Sequence, residues 1–301
     1  MLNFLPSSIQ FVLSFCLYII NVFIFGTSLI PFIILKAIIP IPVFRKFMTL
    51  ILTTTTTTWA IVNSYILLFT KKMEWDIQIE GEYSKKKSYM VISNHQSWVD
   101  IFALQEVLNT RIPYFRFFMK DNLKWLPILG IVWWGLDYPF MKRYSKKFIE
   151  KNPHLKGKDI EATKKACERF KNGSVAIVNF PEGTRFTKEK HQKQKSPYKN
   201  LLLPKAGGVA IALSALEGQL TSILDVTIIY NKKEIGFKSF LNGKMKKITV
   251  IIKQIEIDKD FTGDYINDLE FKKNFQTRMN TIWKEKDELI TQYYLQHNKN
   301  S

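Results

Sequence analysis

Residues 88–108 read SYMVISNHQSWVDIFALQEVL and change character within a few positions. The apolar run at residues 89–92 is typical of a buried strand. From Val99 onward, apolar residues recur at helical spacing instead. A strand that runs directly into a helix is the building unit of an α/β fold. It would leave His95 on the connecting turn, just ahead of Asp100.

The chain after residue 72 continues to alternate strand-like and helix-like segments. Five runs rich in valine, isoleucine and aromatic residues have the composition of strands: residues 75–79, 88–93, 174–180, 223–230 and 248–257. Helical spacing occurs between them, for example at residues 160–170. The alternation predicts an α/β fold over residues 73–262, a single domain with one mixed sheet and helices on its faces.

Two later segments have patterns of their own. Apolar residues recur among charges between positions 268 and 295. This pattern predicts that the C-terminal segment, residues 263–301, contains an amphipathic helix that packs on the domain. Residues 188–199 are charged and show no apolar period, so we predict a loop there.

Residues 1–72 are predicted to form a membrane anchor of one or two apolar helices. No charged side chain occurs before Lys36. Residues 11–30 alone are long enough to cross a hydrocarbon core of about 30 Å. A second uncharged stretch covers residues 47–70. Proline interrupts helices, and the prolines that should separate the two stretches are Pro31, Pro40 and Pro42.

Basic residues flank the second stretch on both sides: Lys36, Arg45, Lys46, Lys71 and Lys72. The positive-inside tendency places both flanks in the cytoplasm, so this stretch should enter and leave by one face or lie in the interface. A basic leader and a small-residue cleavage site are both missing, so we expect the anchor to be retained. These features predict an integral membrane protein of a bacterial-type inner membrane, with its domain on the cytoplasmic face. An endoplasmic reticulum membrane is the alternative.

The charge and cysteine content of the chain indicate which kinds of binding partner to expect. The net charge of +18 and the isoelectric point near 9.7 favour a polyanionic partner. A chain that carries a membrane anchor is expected to meet anionic lipid rather than nucleic acid. Its two cysteines, Cys16 and Cys167, form neither a disulfide framework nor a metal cluster, and no metal site is predicted.

His95 and Asp100 form a candidate catalytic pair. Residues five positions apart on a continuous helix point about 140° away from each other, so contact requires His95 to lie ahead of the helix. A histidine held by a carboxylate keeps one tautomer and presents its other nitrogen as a general base. A histidine that only caps the turn is the alternative that the spacing leaves open.

A second strand ends in a chemically rich turn, NFPEGTR at residues 179–185. Arg185 can bind a phosphate through two parallel hydrogen bonds, and Gly183 allows the backbone to approach a ligand closely. Glu182 could orient either the arginine or a substrate hydroxyl. An exposed ion pair at the end of a strand is the simpler interpretation.

Together, HxxxxD at residues 95–100 and FPEGTR at residues 180–185 resemble the signature of the glycerolipid acyltransferase family. NHQSWVDIF and LLLPKAGG look most like the branch that acts on lysophosphatidic acid and related lysophospholipids. The resemblance covers roughly residues 80–230. The family's fourth block often contains a proline in an apolar strand. Residues 225–230 fall at that place and contain no proline, which is a departure from the family's pattern.

The resemblance implies roles for individual residues. His95 would be the catalytic base and Asp100 its partner. Residues of the second and third blocks would bind the substrate, namely Arg143, Glu182, Gly183, Thr184 and Arg185. No cofactor is implied beyond the acyl carrier.

The resemblance also implies the reaction. A membrane-bound O-acyltransferase would move a fatty acyl group from acyl-CoA or acyl carrier protein to lysophosphatidic acid and form phosphatidic acid. Another lysophospholipid, such as lysophosphatidylglycerol or lysophosphatidylinositol, is the nearest alternative acceptor. A lipid hydrolase that uses His95 and Asp100 with a serine is less favoured, because Ser97 lies too close to the helix start to look like a nucleophile. A basic membrane-surface protein without catalytic activity is also less favoured.

Overall fold

A six-stranded sheet lies at the centre of the chain, and the predicted α/β fold with one mixed sheet is confirmed. The computed structural model describes residues 2, 4–141, 165, 167, 170, 173–231 and 235–298. In chain order the strands are β1 (Glu74–Ile79), β2 (Tyr89–Ser93), β3 (Phe115–Phe117), β4 (Met119–Lys120), β5 (Phe140–Met141), β6 (Ala176–Asn179), β7 (Ser222–Tyr230) and β8 (Lys247–Glu256). The five strands predicted from composition are all present. Strands β4 and β5 pair only with each other among the described residues.

The strands of the main sheet are ordered β1-β8-β7-β2-β6-β3. Neighbours are parallel except for the antiparallel pair β7 and β8. Strands β7, β2 and β6 therefore end at the same edge of the sheet. In parallel sheets this carboxyl edge is where ligands usually bind.

Helices cover both faces of the sheet. The described residues form helices α1 (Ser7–Ile38), α2 (Pro42–Thr70), α3 (Val99–Leu108), α4 (Leu129–Gly135), α5 (Lys188–Gln194), α6 (Gly207–Ala215), α7 (Phe237–Leu241) and α8 (Leu269–Asn298), and a short 3-10 helix at Asp121–Trp125. Helix α8 matches the predicted C-terminal helix. The division of the chain at residues 72 and 262 stays a prediction.

Strand β2 shows how the two faces are filled. All its residues are buried, and successive side chains point to opposite faces. Tyr89 and Val91 join the apolar cluster that includes Ala103 of α3. Met90 and Ile92 join the opposite cluster, which includes Trp283 of α8. Each such side chain contributes about 1.5–3 kcal/mol on burial, so this strand fixes α3 and α8 on either side of the site.

Helices α1 and α2 form the N-terminal pair. Among the described helices, α1 alone combines the length and apolarity needed to cross a membrane. Pro31 lies inside α1, so the expectation that it separates the helices is wrong; Pro42 occupies the first turn of α2 instead. The threonine run in α2 bonds back to the preceding turn, as with Thr56 Oγ1 to the Leu52 carbonyl at 2.8 Å.

Two segments differ from what their sequence patterns predict or lie outside the described residues. Residues 188–199 are not entirely loop, because α5 occupies the first part of this segment. Its N-terminus is capped by Thr187, whose side chain accepts a hydrogen bond from the Lys190 backbone, and it ends at Lys195 in a left-handed conformation. The local caps, rather than an apolar face, specify this short helix. The helix expected at residues 160–170 lies mostly outside the described residues.

Candidate active site

The predicted site residues that the structure describes meet at the carboxyl edge of the sheet. The turn after β2 carries His95, and the turn after β6 carries Glu182 and Arg185. Because β2 and β6 are parallel neighbours, these turns lie side by side. Arg143 lies outside the described residues.

His95 and Asp100 are in direct contact. His95 Nδ1 lies 2.7 Å from Asp100 Oδ2, with Asp100 in the first turn of α3 and His95 ahead of it. The same carboxylate oxygen accepts hydrogen bonds from the backbone N–H groups of Gln96 (2.7 Å) and Ser97 (2.9 Å). Asp100 is completely buried, so these donors and the imidazole replace the water that a carboxylate requires.

This contact decides which nitrogen of His95 can act as a base. A carboxylate only accepts hydrogen bonds, so Nδ1 carries the proton in the neutral ring and Nε2 holds the free lone pair. The ring stacks on Phe180 at 4.1 Å between centroids, which fixes its plane. The His95 side chain remains 17% exposed and is accessible to a substrate.

Asn94, the residue before the histidine, holds the turn to the neighbouring strand. Its side chain donates to the Ile228 carbonyl at 2.9 Å and accepts from the Ile228 N–H at 2.8 Å. The amide therefore continues the hydrogen-bond pattern between β2 and β7 past the end of β2. Sequence reasoning missed this role, although an asparagine directly after an apolar run was the available signal.

Glu182 joins the two turns through the backbone. Its carboxylate is completely buried and accepts hydrogen bonds from the His95 N–H and the Leu202 N–H, each at 3.0 Å. Burial raises the pKa of Glu182 to about 8, while the two backbone hydrogen bonds act in the opposite direction. In this structure the carboxylate holds the His95 turn in place, and a direct contact with substrate stays a prediction.

The rest of the FPEGTR turn lies next to His95. The Phe186 N–H donates to the His95 carbonyl at 2.8 Å, a second link between the turns. Gly183 has a φ of 70°, a left-handed conformation that favours glycine. Thr184 Oγ1 accepts a hydrogen bond from Lys190 Nζ at 2.7 Å.

Arg185 is exposed at the mouth of the site. Its guanidinium lies over the ring of Trp98, 5.0 Å from the centroid. Lys190 Nζ donates to the Arg185 carbonyl at 3.0 Å, so a second cation adjoins this turn. Lys190 was missed because the segment around it was predicted to be loop.

Ser97 is placed unfavourably for a nucleophile. Its hydroxyl is buried and accepts a hydrogen bond from the Val99 N–H at 3.2 Å, a local side-chain-to-backbone turn just ahead of α3. His95 Nδ1 is bonded to the Asp100 carboxylate, so this nitrogen is not available to activate the Ser97 hydroxyl. Among the described residues, histidine, cysteine and carboxylate side chains form no group of three that could hold a metal ion.

The fold and the paired turns define a class of protein. The acyltransferase family model matches residues 76–231, just over half of the chain and the part that contains both turns. The chain therefore belongs to the acyltransferase family.

Particular relatives extend this comparison. A 2-acyl-1-lysophosphatidylinositol acyltransferase of Saccharomyces cerevisiae is 30% identical over 69% of this chain and 62% of its own length. A 1-acyl-sn-glycerol-3-phosphate acyltransferase epsilon of Mus musculus is 26% identical over 60% of this chain and 51% of its own. The chain thus spans between half and two thirds of these relatives.

A solved structure shares the fold. The crystal structure of PlsC, the 1-acyl-sn-glycerophosphate acyltransferase of Thermotoga maritima, matches with a TM-score of 0.58. The match covers 95% of this chain and 96% of that chain at 16% sequence identity.

Proposed function

We propose that the protein is a membrane-bound O-acyltransferase that moves a fatty acyl group from acyl-CoA or acyl carrier protein to lysophosphatidic acid. One observation carries the proposal. The His95–Asp100 pair, in contact at 2.7 Å, is held by Glu182 against a turn that exposes Arg185. A general base thus adjoins a candidate anion-binding group, as acyl transfer to a phosphate-bearing alcohol requires.

The chemistry needs one base. His95 Nε2 removes the proton from the acceptor hydroxyl as its oxygen attacks the thioester carbonyl, and Asp100 stabilises the imidazolium that forms. The C–O bond forms, the C–S bond breaks, and the proton passes from His95 to the departing thiolate. A thiol, with a reference pKa near 8.5, leaves without metal assistance. The products are the diacyl lipid and the free thiol of the carrier.

The acceptor phosphate is assigned to the FPEGTR turn. Arg185 offers a planar set of donors that matches two phosphate oxygens, and its stacking on Trp98 limits the positions it can adopt. The Lys190 ammonium, which donates hydrogen bonds to Thr184 and to the Arg185 carbonyl, adds positive charge next to this turn. Phosphatidic acid would be the product with lysophosphatidic acid as acceptor.

Lysophosphatidylinositol is the second candidate acceptor. The name of the Saccharomyces cerevisiae relative, which is 30% identical, favours it. Both acceptors present a phosphate to Arg185, and the inositol group would extend beyond it toward solvent. The two candidate acceptors therefore differ in the head group beyond the phosphate, while the acyl-transfer reaction at the His95–Asp100 pair is the same.

We place the protein in a membrane through α1, the apolar helix that can span one. The basic flanks of the N-terminal helices support a catalytic domain on the cytoplasmic face. A bacterial-type inner membrane and an endoplasmic reticulum membrane remain the two alternatives.

An acceptor panel tests the proposal. Membranes that contain the protein are incubated with labelled acyl-CoA and lysophosphatidic acid, lysophosphatidylinositol or lysophosphatidylglycerol, and then with acyl carrier protein as donor. We expect the fastest incorporation into phosphatidic acid. Faster incorporation into phosphatidylinositol would show that lysophosphatidylinositol, rather than lysophosphatidic acid, is the preferred acceptor.

Asp100→Asn is expected to lower the turnover number by about 100-fold. The amide oxygen can take the place of Oδ2 and keep the imidazole tautomer, but the negative charge that stabilises the imidazolium is lost. The acid limb of the pH–turnover profile should also move to lower pH, because His95 loses its carboxylate partner. Steady-state rates against pH measure both effects, with Asp258→Asn, in the exposed turn after β8, as the matched control. A variant with the wild-type profile would contradict the pairing.

Arg185→Ala is expected to raise the acceptor KM by about tenfold or more and to change the turnover number little, because the guanidinium binds the phosphate before and during the reaction alike. Lys188→Ala, which removes an exposed cation from the adjoining helix α5, is the control. Equal acceptor KM values in the two variants would show that Arg185 does not bind the acceptor.

A further inference from the structure

The second oxygen of the Asp100 carboxylate has a partner far away in the chain. Tyr230, the last residue of β7, donates a hydrogen bond from its hydroxyl to Asp100 Oδ1 at 2.6 Å. Both side chains are buried. Oδ2 faces the imidazole and two backbone N–H groups, whereas Oδ1 faces the phenol.

The position of Tyr230 is itself held from two directions. Its backbone carbonyl accepts a hydrogen bond from the hydroxyl of Tyr294 on α8 at 2.9 Å. Its ring belongs to the apolar cluster beneath α3. Burial, and then the negative charge of Asp100, hold the pKa of Tyr230 well above its usual range, so the hydroxyl keeps its proton and acts as donor.

We propose that Tyr230 is a positioning residue for acyl transfer, which orients the Asp100 carboxylate and sets the basicity of His95 through it. The inference rests on the proposed function of His95 as the base. Tyr230 is buried behind Asp100 and does not reach the substrate. Its effect on the reaction passes through the carboxylate.

The direction of that effect follows from hydrogen bonding to a charged group. A donor on Oδ1 stabilises the ionised carboxylate and reduces its attraction for the imidazole proton. Without the Tyr230 hydroxyl, Asp100 Oδ1 is buried without a hydrogen-bond donor. The His95–Asp100 pair then binds more tightly the proton that converts the neutral imidazole to imidazolium. His95 should then remain protonated to higher pH, where it cannot act as a base, and the imidazole ring loses part of its support.

Tyr230→Phe tests this mechanism with minimal change of shape. We expect the turnover number to fall by about tenfold and the acid limb of its pH profile to move up by about one pH unit. The acceptor KM should remain unchanged, since Tyr230 does not touch the acceptor. A variant whose turnover and acid limb match those of the wild type would overturn the proposal.

Tyr89→Phe is the matched control. Tyr89 is completely buried on the adjoining strand β2, and its hydroxyl accepts a hydrogen bond from the Ser84 N–H at the opposite end of the strand from His95. This variant loses a buried phenol hydroxyl without any contact with Asp100 and should keep the wild-type acid limb. If both variants shift the limb equally, the effect belongs to general loosening of the sheet and Tyr230 has no positioning role.

A second variant covers the case in which Tyr230→Phe does not fold. Tyr230→3-fluorotyrosine keeps the shape and makes the phenol a stronger donor, so the acid limb should move to lower pH, opposite to the phenylalanine variant. An unmoved limb would overturn the proposal. His95→Ala, measured in parallel, separates the two claims: an active His95→Ala protein refutes the base assignment, whereas an inactive one with an unmoved limb in the Tyr230 variants refutes only the role of Tyr230.

Discussion

His95→Ala is expected to lower the turnover number by about 1,000-fold, with the acceptor KM changed by less than about threefold. Among the described residues at this edge of the sheet, the His95 imidazole has a free nitrogen that can accept the proton of an attacking hydroxyl. Alanine leaves the Asp100 carboxylate and the Arg185 side chain in place, so acceptor binding should persist while proton transfer is lost. Initial rates of diacyl lipid formation at saturating donor measure the effect.

His297→Ala, near the end of α8, serves as the control for loss of a histidine, and it should keep the wild-type rate. Glu182 and Asp100 hold the His95 turn mainly through backbone N–H groups, so the His95→Ala protein should fold normally. A His95→Ala protein with a normal turnover number would contradict the base assignment.

Lys286→Met is expected to lower the free energy of unfolding by about 3–5 kcal/mol. Lys286 of α8 is completely buried, with Nζ 2.7 Å from Asp225 Oδ1. The same ammonium donates to the Val226 carbonyl at 2.6 Å and to Thr227 Oγ1 at 3.1 Å. Methionine has a similar volume, but it leaves the Asp225 carboxylate buried without its countercharge.

Denaturant unfolding of the purified protein in detergent measures this loss. The double variant Lys286→Met with Asp225→Asn removes both charges and should recover most of the lost stability, because no uncompensated charge remains. Lys284→Met, on the exposed face of the same helix, should change stability by less than about 0.5 kcal/mol. Equal stability of the two single variants would show that the buried pair does not tie α8 to β7.

The features predicted well from the sequence are those specified by neighbouring residues. The apolar run before Asn94 and the helical spacing after Ser97 predict β2 and α3. That local geometry is sufficient to bring His95 to Asp100, whose contact spans only five positions. The mixed sheet is predicted because strand-like and helix-like segments continue to alternate along the chain.

Contacts between distant segments could not be predicted in the same way. Tyr230 meets Asp100 across 130 positions because β7 lies beside β2, and strand order cannot be read from a single sequence. The same applies to Lys286 and Asp225. The turn sequence predicts that Glu182 orients Arg185 or a substrate hydroxyl, and its contact with substrate stays a prediction. Its carboxylate is directed to two backbone N–H groups, a target that has no sequence signature.

The measurement that tests the account most directly is identification of the lipid formed from labelled acyl-CoA and lysophosphatidic acid by membranes containing the wild-type protein. We predict label in phosphatidic acid, with one free CoA released for each new ester, and no such product in membranes containing the His95→Ala variant. Label found only in free fatty acid, as a lipid hydrolase would produce, would contradict the account. Absence of a diacyl product with every lysophospholipid and both acyl donors would contradict it as well.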